Sequence, residues 1–178
     1  MKILRTLLAG GALALLGTLP SEAQSKEPAP VLPVPTKAQQ AWHELETYAF
    51  IHFGLNTYND LEWGYGNTPA KTFNPPILDV EQWVTTLKRA DMKGVILTAK
   101  HHDGFCLWPT ASTDYNISHS SSPNAQGVNI AELFAKAAQE LHMKYGFYVS
   151  PWDRNNGQYG TDSYVKDVFL KQCAELAK

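Results

Sequence analysis

Apolar positions along the chain switch repeatedly between a period of two and a period near 3.6, and the switches predict the elements. Residues 48–53 (YAFIHF) form a short β-type run, and residues 94–100 (GVILTAK) form a second that is almost continuously apolar, as in a strand buried on both faces of a parallel sheet. Residues 145–150 (YGFYVS) give a third. Between them, Val80, Trp83, Val84, Leu87 and Ala90 recur at helical spacing behind Asp79, with Gln82 at the third helical position. Ile130, Leu133, Phe134, Ala137 and Leu141 do the same behind Asn129, with Glu132 three residues on. A third helical stretch is predicted over 163–178, with Val165, Val168, Phe169 and Leu176 as its buried face. The order is β, α, β, α, β, α.

Long segments follow each strand and short ones follow each helix, as at Asp91-Met92-Lys93 and Met143-Lys144. In α/β barrels and doubly wound sheets alike, the long loops lie beyond the strand C-termini, where sites are built. The segment after the first strand carries neither a G-x-G-x-x-G turn nor a Walker pattern, which favours the barrel. A complete barrel takes roughly 250 residues. This chain has 178, and its last helical stretch reaches Lys178 without a Gly, Asn or Pro stop. The expected fold class is therefore α/β, a partial (β/α)8 TIM-type barrel holding about the first three βα units and truncated at its C-terminus.

The N-terminal residues change this picture. Lys2 and Arg5 precede an apolar run over 7–19, and Ser21-Glu22-Ala23 ends in small residues at cleavage-site spacing. Residues 1–23 read as a secretory signal peptide, which makes the expected localisation exported, periplasmic or extracellular. The run falls short of the roughly 20 apolar residues of a membrane span. Residues 24–38, with Pro28, Pro30, Pro33 and Pro35, read as a Pro-rich leader, and the barrel domain is expected over 39–178.

Composition narrows the partners. The chain is 44% apolar and 18% charged, with 15 basic against 17 acidic side chains interspersed. It has no basic stripe for phosphates and no polybasic patch for an anionic membrane, so neither nucleic acid nor membrane is an expected partner. Two cysteines, Cys106 and Cys173, are too few for a disulfide framework or a zinc ribbon. Oligomeric state is not legible.

Three strand ends bring polar and aromatic groups towards one mouth if the strands are parallel neighbours. The first offers His52, Gly54, Asn56 and the loop residues Glu62-Trp63-Gly64. The second offers His101-His102-Asp103-Gly104-Phe105 and Trp108, and the third Tyr148, Ser150, Trp152, Asp153 and Arg154. Imidazoles and carboxylates bond hydroxyls in fixed directions, while indole and phenol rings stack on C–H faces, so the set suits a sugar. A metal centre is not expected. The first strand carries His-x-Phe-Gly rather than two spaced histidines, and the adjacent His101 and His102 tend to point apart. His43, His119 and His142 have no partner pattern. Asn116-Ile117-Ser118 matches a glycan acceptor sequon.

Five ordered motifs now acquire a common meaning: HFGLNT from His52, Glu62-Trp63-Gly64, Phe73-Asn74-Pro75, LTAKHHDGFCLW from Leu97, and YVSPWDR from Tyr148. Together they resemble glycoside hydrolase family 29, the α-L-fucosidases, from about Trp42 onward. The resemblance implies a catalytic barrel that hydrolyses terminal α-L-fucosyl linkages of glycans with retention and without a cofactor. Carried over by position, it implies that His52, Glu62, Trp63, His101 and His102 bind or shape the pocket for fucose, with Tyr148 and Trp152 beside them. Trp108 is implied either in the pocket wall or in loop packing. Retention needs a nucleophile and an acid/base about 5 Å apart. The resemblance implies an Asp nucleophile and an acid/base beyond Lys178, so no catalytic residue is expected in this chain, and the fragment is expected to be inactive alone. Two competing readings are a non-catalytic sugar-binding protein and a metal-dependent barrel hydrolase.

Overall fold

Among the described residues, the first helix starts from Thr36 through a reciprocal cap. Its hydroxyl accepts from the Gln39 N–H at 3.2 Å, and its own N–H donates to Gln39 Oε1 at 2.8 Å, starting α1 (Lys37–His43). The computed structural model describes residues 27–178; the expected signal peptide over 1–23 lies outside them. Residues 27–35 are exposed and fall outside the compact unit that holds the sheet. That unit starts at Thr36, so α1 begins two residues before the expected boundary at 39.

Three parallel strands, β1 (Tyr48–Ile51), β2 (Gly94–Lys100) and β3 (Lys144–Val149), form one sheet in the order β1-β2-β3. Tyr48 pairs with Gly94, and Gly94 with Lys144, so the strands start level and their C-terminal ends lie side by side. Each strand is joined to the next by a helix, as parallel pairing requires. Asp79 caps α2 (Val80–Arg89) by accepting from the Gln82 N–H at 2.9 Å, and Asn129 caps α3 (Ile130–Glu140) by accepting from the Glu132 N–H at 3.1 Å.

The apolar stripes of those two helices meet one face of the sheet. Val80 and Val84, Ile130 and Phe134, and the strand residues Val95 and Leu97 share one core with Phe73, Phe105 and Leu107. Trp83 packs against it, as its helical position predicts. β2 is buried at six of its seven residues, as expected of a strand covered on both faces; Ile96 alone is half-buried, and its register partner Phe50 on β1 is 56% exposed.

The last helical stretch is not the uniform helix predicted. It runs through α4 (Asp162–Tyr164), a π-helical turn (Val165–Phe169) and α5 (Leu170–Leu176). The wider turn shifts the phase of the residues after it. Tyr164, Val168 and Gln172 form the buried row, while Val165, expected inside, is 44% exposed.

Candidate functional site

The ends of all three strands gather their rings on one side of the sheet. His52 follows β1, and its ring lies 4.6 Å from His101 at the end of β2, edge to face. His101 and His102 are 4.2 Å apart, and Tyr148 on β3 lies 6.2 and 6.5 Å from them. Trp152, in the loop after β3, sits 5.1 Å from His102, and Trp63, from the loop after β1, lies 5.8 Å from His102 and 5.9 Å from Trp152. The adjacent histidines, expected to diverge, therefore share one cluster. An open cavity of about 620 Å³ runs beside them, lined among others by His52, Asn56, Asp60, Glu62, Trp63 and His101. All seven residues read from the sequence are thus in the ring cluster or at this cavity.

Each imidazole is held below its ordinary protonation range. Burial lowers His101 to about 4, with His102 and His52 adding to the shift. Burial and then His102 lower His52; burial and then the Arg154 guanidinium lower His102. At neutral pH the three rings are neutral, so each offers one donor and one acceptor nitrogen. His101 Nδ1 is buried and makes no hydrogen bond among the described residues.

Loop geometry explains how Trp63 reaches β3. Arg154 Nη1 donates to the Gly64 carbonyl at 2.7 Å, and Asn155 Nδ2 donates to the Gly66 carbonyl at 2.7 Å. The guanidinium also lies 4.9 Å from the Tyr65 ring and 5.1 Å from that of Trp152. Its backbone N–H donates to the His102 carbonyl at 2.9 Å, so one residue touches the loops of all three strands. Sequence reasoning places Arg154 at a strand end and gives it no role, because its partners lie some 90 residues away. Asp60, a second carboxylate at the cavity, carries no spacing signal that would single it out.

A polar cluster on the other side of the same strand ends has a different character. Lys100 is fully buried, and its Nζ donates to Asp153 Oδ2 at 3.1 Å, Tyr164 Oη at 2.9 Å and Gln172 Oε1 at 2.9 Å. Asp153 Oδ1 accepts from the N–H groups of Asn155 and Asn156. Trp108 belongs to packing: it is buried, and its Nε1 donates to Glu175 Oε2 at 2.7 Å. Asp103 is also buried, accepting from the Phe105 N–H at 3.3 Å, and burial pushes its carboxyl up to about 6, with Asp153 adding and backbone N–H bonds opposing. The sequon residue Asn116 is buried with both amide atoms engaged, Nδ2 on the Thr113 carbonyl at 2.7 Å and Oδ1 on the Ser118 N–H at 2.8 Å, which makes it a loop anchor. Cys106 and Cys173 are both free thiols.

Comparison with known proteins bears on this geometry. The family model described as Alpha-L-fucosidase matches residues 31–177. Alpha-L-fucosidase 1 of Arabidopsis thaliana is 45% identical over 84% of this chain and 29% of its own length. The crystal structure of a glycoside hydrolase 29 family member from an unknown rumen bacterium is 48% identical with a TM-score of 0.77, over 81% of this chain and 26% of that one. A Ruminococcus gnavus GH29 fucosidase in complex with fucose is 41% identical with a TM-score of 0.63, over 71% of this chain and 26% of that one. The chain thus spans less than a third of the length of these relatives.

Proposed function

Because the chain belongs to the α-L-fucosidases of glycoside hydrolase family 29, we propose that its ring cluster binds the terminal α-L-fucosyl residue of a glycan and forms one wall of a retaining active site. The observation that carries the reading is the convergence of His52, Trp63, His101, His102, Tyr148 and Trp152 beside an open cavity that Glu62 also lines. Neutral imidazoles take and give hydrogen bonds to hydroxyls, and the Trp63 and Trp152 rings supply apolar faces for ring carbons and the methyl group of a deoxyhexose. The parallel order β1-β2-β3 is that of consecutive strands in a (β/α) barrel, and the reading assigns these to its first three units.

Retention proceeds through a glycosyl-enzyme, with one carboxylate attacking the anomeric carbon and a second carboxyl protonating the departing oxygen, then deprotonating water. We assign neither role within this chain. Asp153 is committed to Lys100, and Asp103 is buried. Glu62 stays with hydroxyl binding. The reading also makes the enzyme an exported one, on the strength of the leader pattern over 1–23.

Titration with L-fucose, followed by indole fluorescence of the 178-residue chain and of its full-length protein, tests the binding wall. Saturable quenching with L-fucose and none with D-glucose is expected; equal responses to both sugars would overturn it. Hydrolysis of an aryl α-L-fucoside by the full-length protein alone, with the first product in the α configuration by NMR, is the expected catalytic outcome. Turnover by residues 1–178 would overturn the assignment of both carboxylates elsewhere.

A further inference from the structure

Ser150, the residue after β3, has no accessible surface and three polar neighbours. The Trp152 N–H donates to its Oγ at 3.1 Å, the Trp152 carbonyl lies 2.9 Å from Oγ, and His102 Nδ1 lies 2.7 Å from it. A hydroxyl has one proton and two lone pairs. The Trp152 N–H takes one lone pair. The Trp152 carbonyl can only accept, so it takes the proton. Only the second lone pair then remains for His102, whose Nδ1 must carry a hydrogen. The reverse assignment would set two acceptors against each other at 2.9 Å in a place water does not reach.

We infer that Ser150 is a positioning residue that fixes His102 as its Nδ1–H tautomer and leaves Nε2 as a hydrogen-bond acceptor for the ligand. His102 Nε2 makes no hydrogen bond among the described residues and is not a buried orphan, so it is free to meet a ligand. Burial, and after it the charge of the Arg154 guanidinium, disfavours imidazolium, which would abolish that acceptor. The frame is rigid: the Ser150 N–H donates to the Lys100 carbonyl at 3.0 Å, and the Arg154 N–H to that of His102 at 2.9 Å. The inference rests on the fucoside reading for the identity of the ligand. It adds that His102 Nε2 accepts a hydrogen bond from a sugar hydroxyl, so the group opposite it must be a donor.

Long-range ¹H–¹⁵N correlation spectra of histidine-labelled chain at neutral pH read the tautomer directly, without sugar. His102 protonated at Nδ1 is expected, with Ser150→Ala shifting it towards the Nε2–H form that a free histidine side chain prefers and Ser150→Thr preserving it. Nε2–H in the unsubstituted chain, a reading that depends on no variant folding, would overturn the inference; so would an unchanged tautomer in a folded Ser150→Ala. Deoxyfluoro-L-fucoses, in which fluorine replaces one hydroxyl at a time and cannot donate, supply the second readout on the full-length protein. One analogue should bind about tenfold more weakly than L-fucose, and Ser150→Ala should shrink that gap. A gap unchanged by Ser150→Ala would overturn the inference. If no fucose binds while the tautomer is as stated, the proposed function falls and the positioning role stands.

Discussion

Consecutive residues at the ends of β2 and β3 serve opposite purposes. Lys100 and Asp153 face inward and are saturated by protein partners, whereas His101 and Trp152, their immediate neighbours, belong to the ring cluster. The inner cluster spends its hydrogen-bonding capacity on folding. The outer one keeps His101 Nδ1 and His102 Nε2 without protein partners among the described residues. What separates the two clusters is the groups each residue meets: Lys100 reaches Asp153, Tyr164 and Gln172, whereas the next two residues, His101 and His102, lie beyond the end of β2 and turn together into the ring cluster.

Breaking the inner cluster should have the largest effect. Lys100→Met leaves the Asp153 carboxylate buried and unpaired and should cost about 3–5 kcal/mol of stability in denaturant titration, with Lys100→Met/Asp153→Asn costing less. Equal losses in the two variants would mean that the pair is not an ion pair in energetic terms.

Asp103 lies between the two regions and should respond to pH. Its folded-state value of about 6 stands above the ordinary 3.8, so the folded chain holds the proton more tightly than the unfolded one. That contribution is complete below the unfolded value and is lost as pH rises through the folded one. Asp103→Asn should therefore gain on the parent between pH 4 and 6 by about 2–3 kcal/mol and gain no more above that. A flat difference across pH would show that the carboxyl is not shifted.

On the outer side, His102→Ala should weaken L-fucose binding to the full-length protein by about 2 kcal/mol while leaving the melting temperature nearly unchanged. A large loss of stability with unaltered affinity would move His102 to the structural set. Arg154→Met should be milder, costing about 1 kcal/mol through the lost Gly64 bond and ring contacts, with a red shift of Trp63 emission as the loop loosens.

Period and capping signals made most of the framework legible. The runs at β1, β2 and β3 and the caps Asp79 and Asn129 lie where the pattern predicts. α1 was hidden by the prolines before it, although Thr36 and Gln39 spell its cap. The outer cluster was legible because strand ends collect on one side once strands run parallel. The inner cluster was not: Lys100 ends an apolar run like any strand-terminal lysine, and its partners lie 53, 64 and 72 residues downstream. Nor does local sequence announce the π-turn over Val165–Phe169, or that Tyr164 rather than Val165 faces the core. Ser150 and Arg154 were visible as strand-end residues, but their roles depend on contacts that only the tertiary structure creates.

Two glycines mark where one strand's loop passes another. A Cβ on Gly66 would come within 2.5 Å of the Arg154 carbonyl carbon, and one on Gly104 within 2.3 Å of Asp153 Oδ1, both at backbone angles that side chains avoid. The crossings behave like the knots of a net, fixed while the threads between them are exchangeable. Side chains on the exposed threads, such as Trp63 and Glu62, are free to vary, but any side chain at those knots would unpick the mesh.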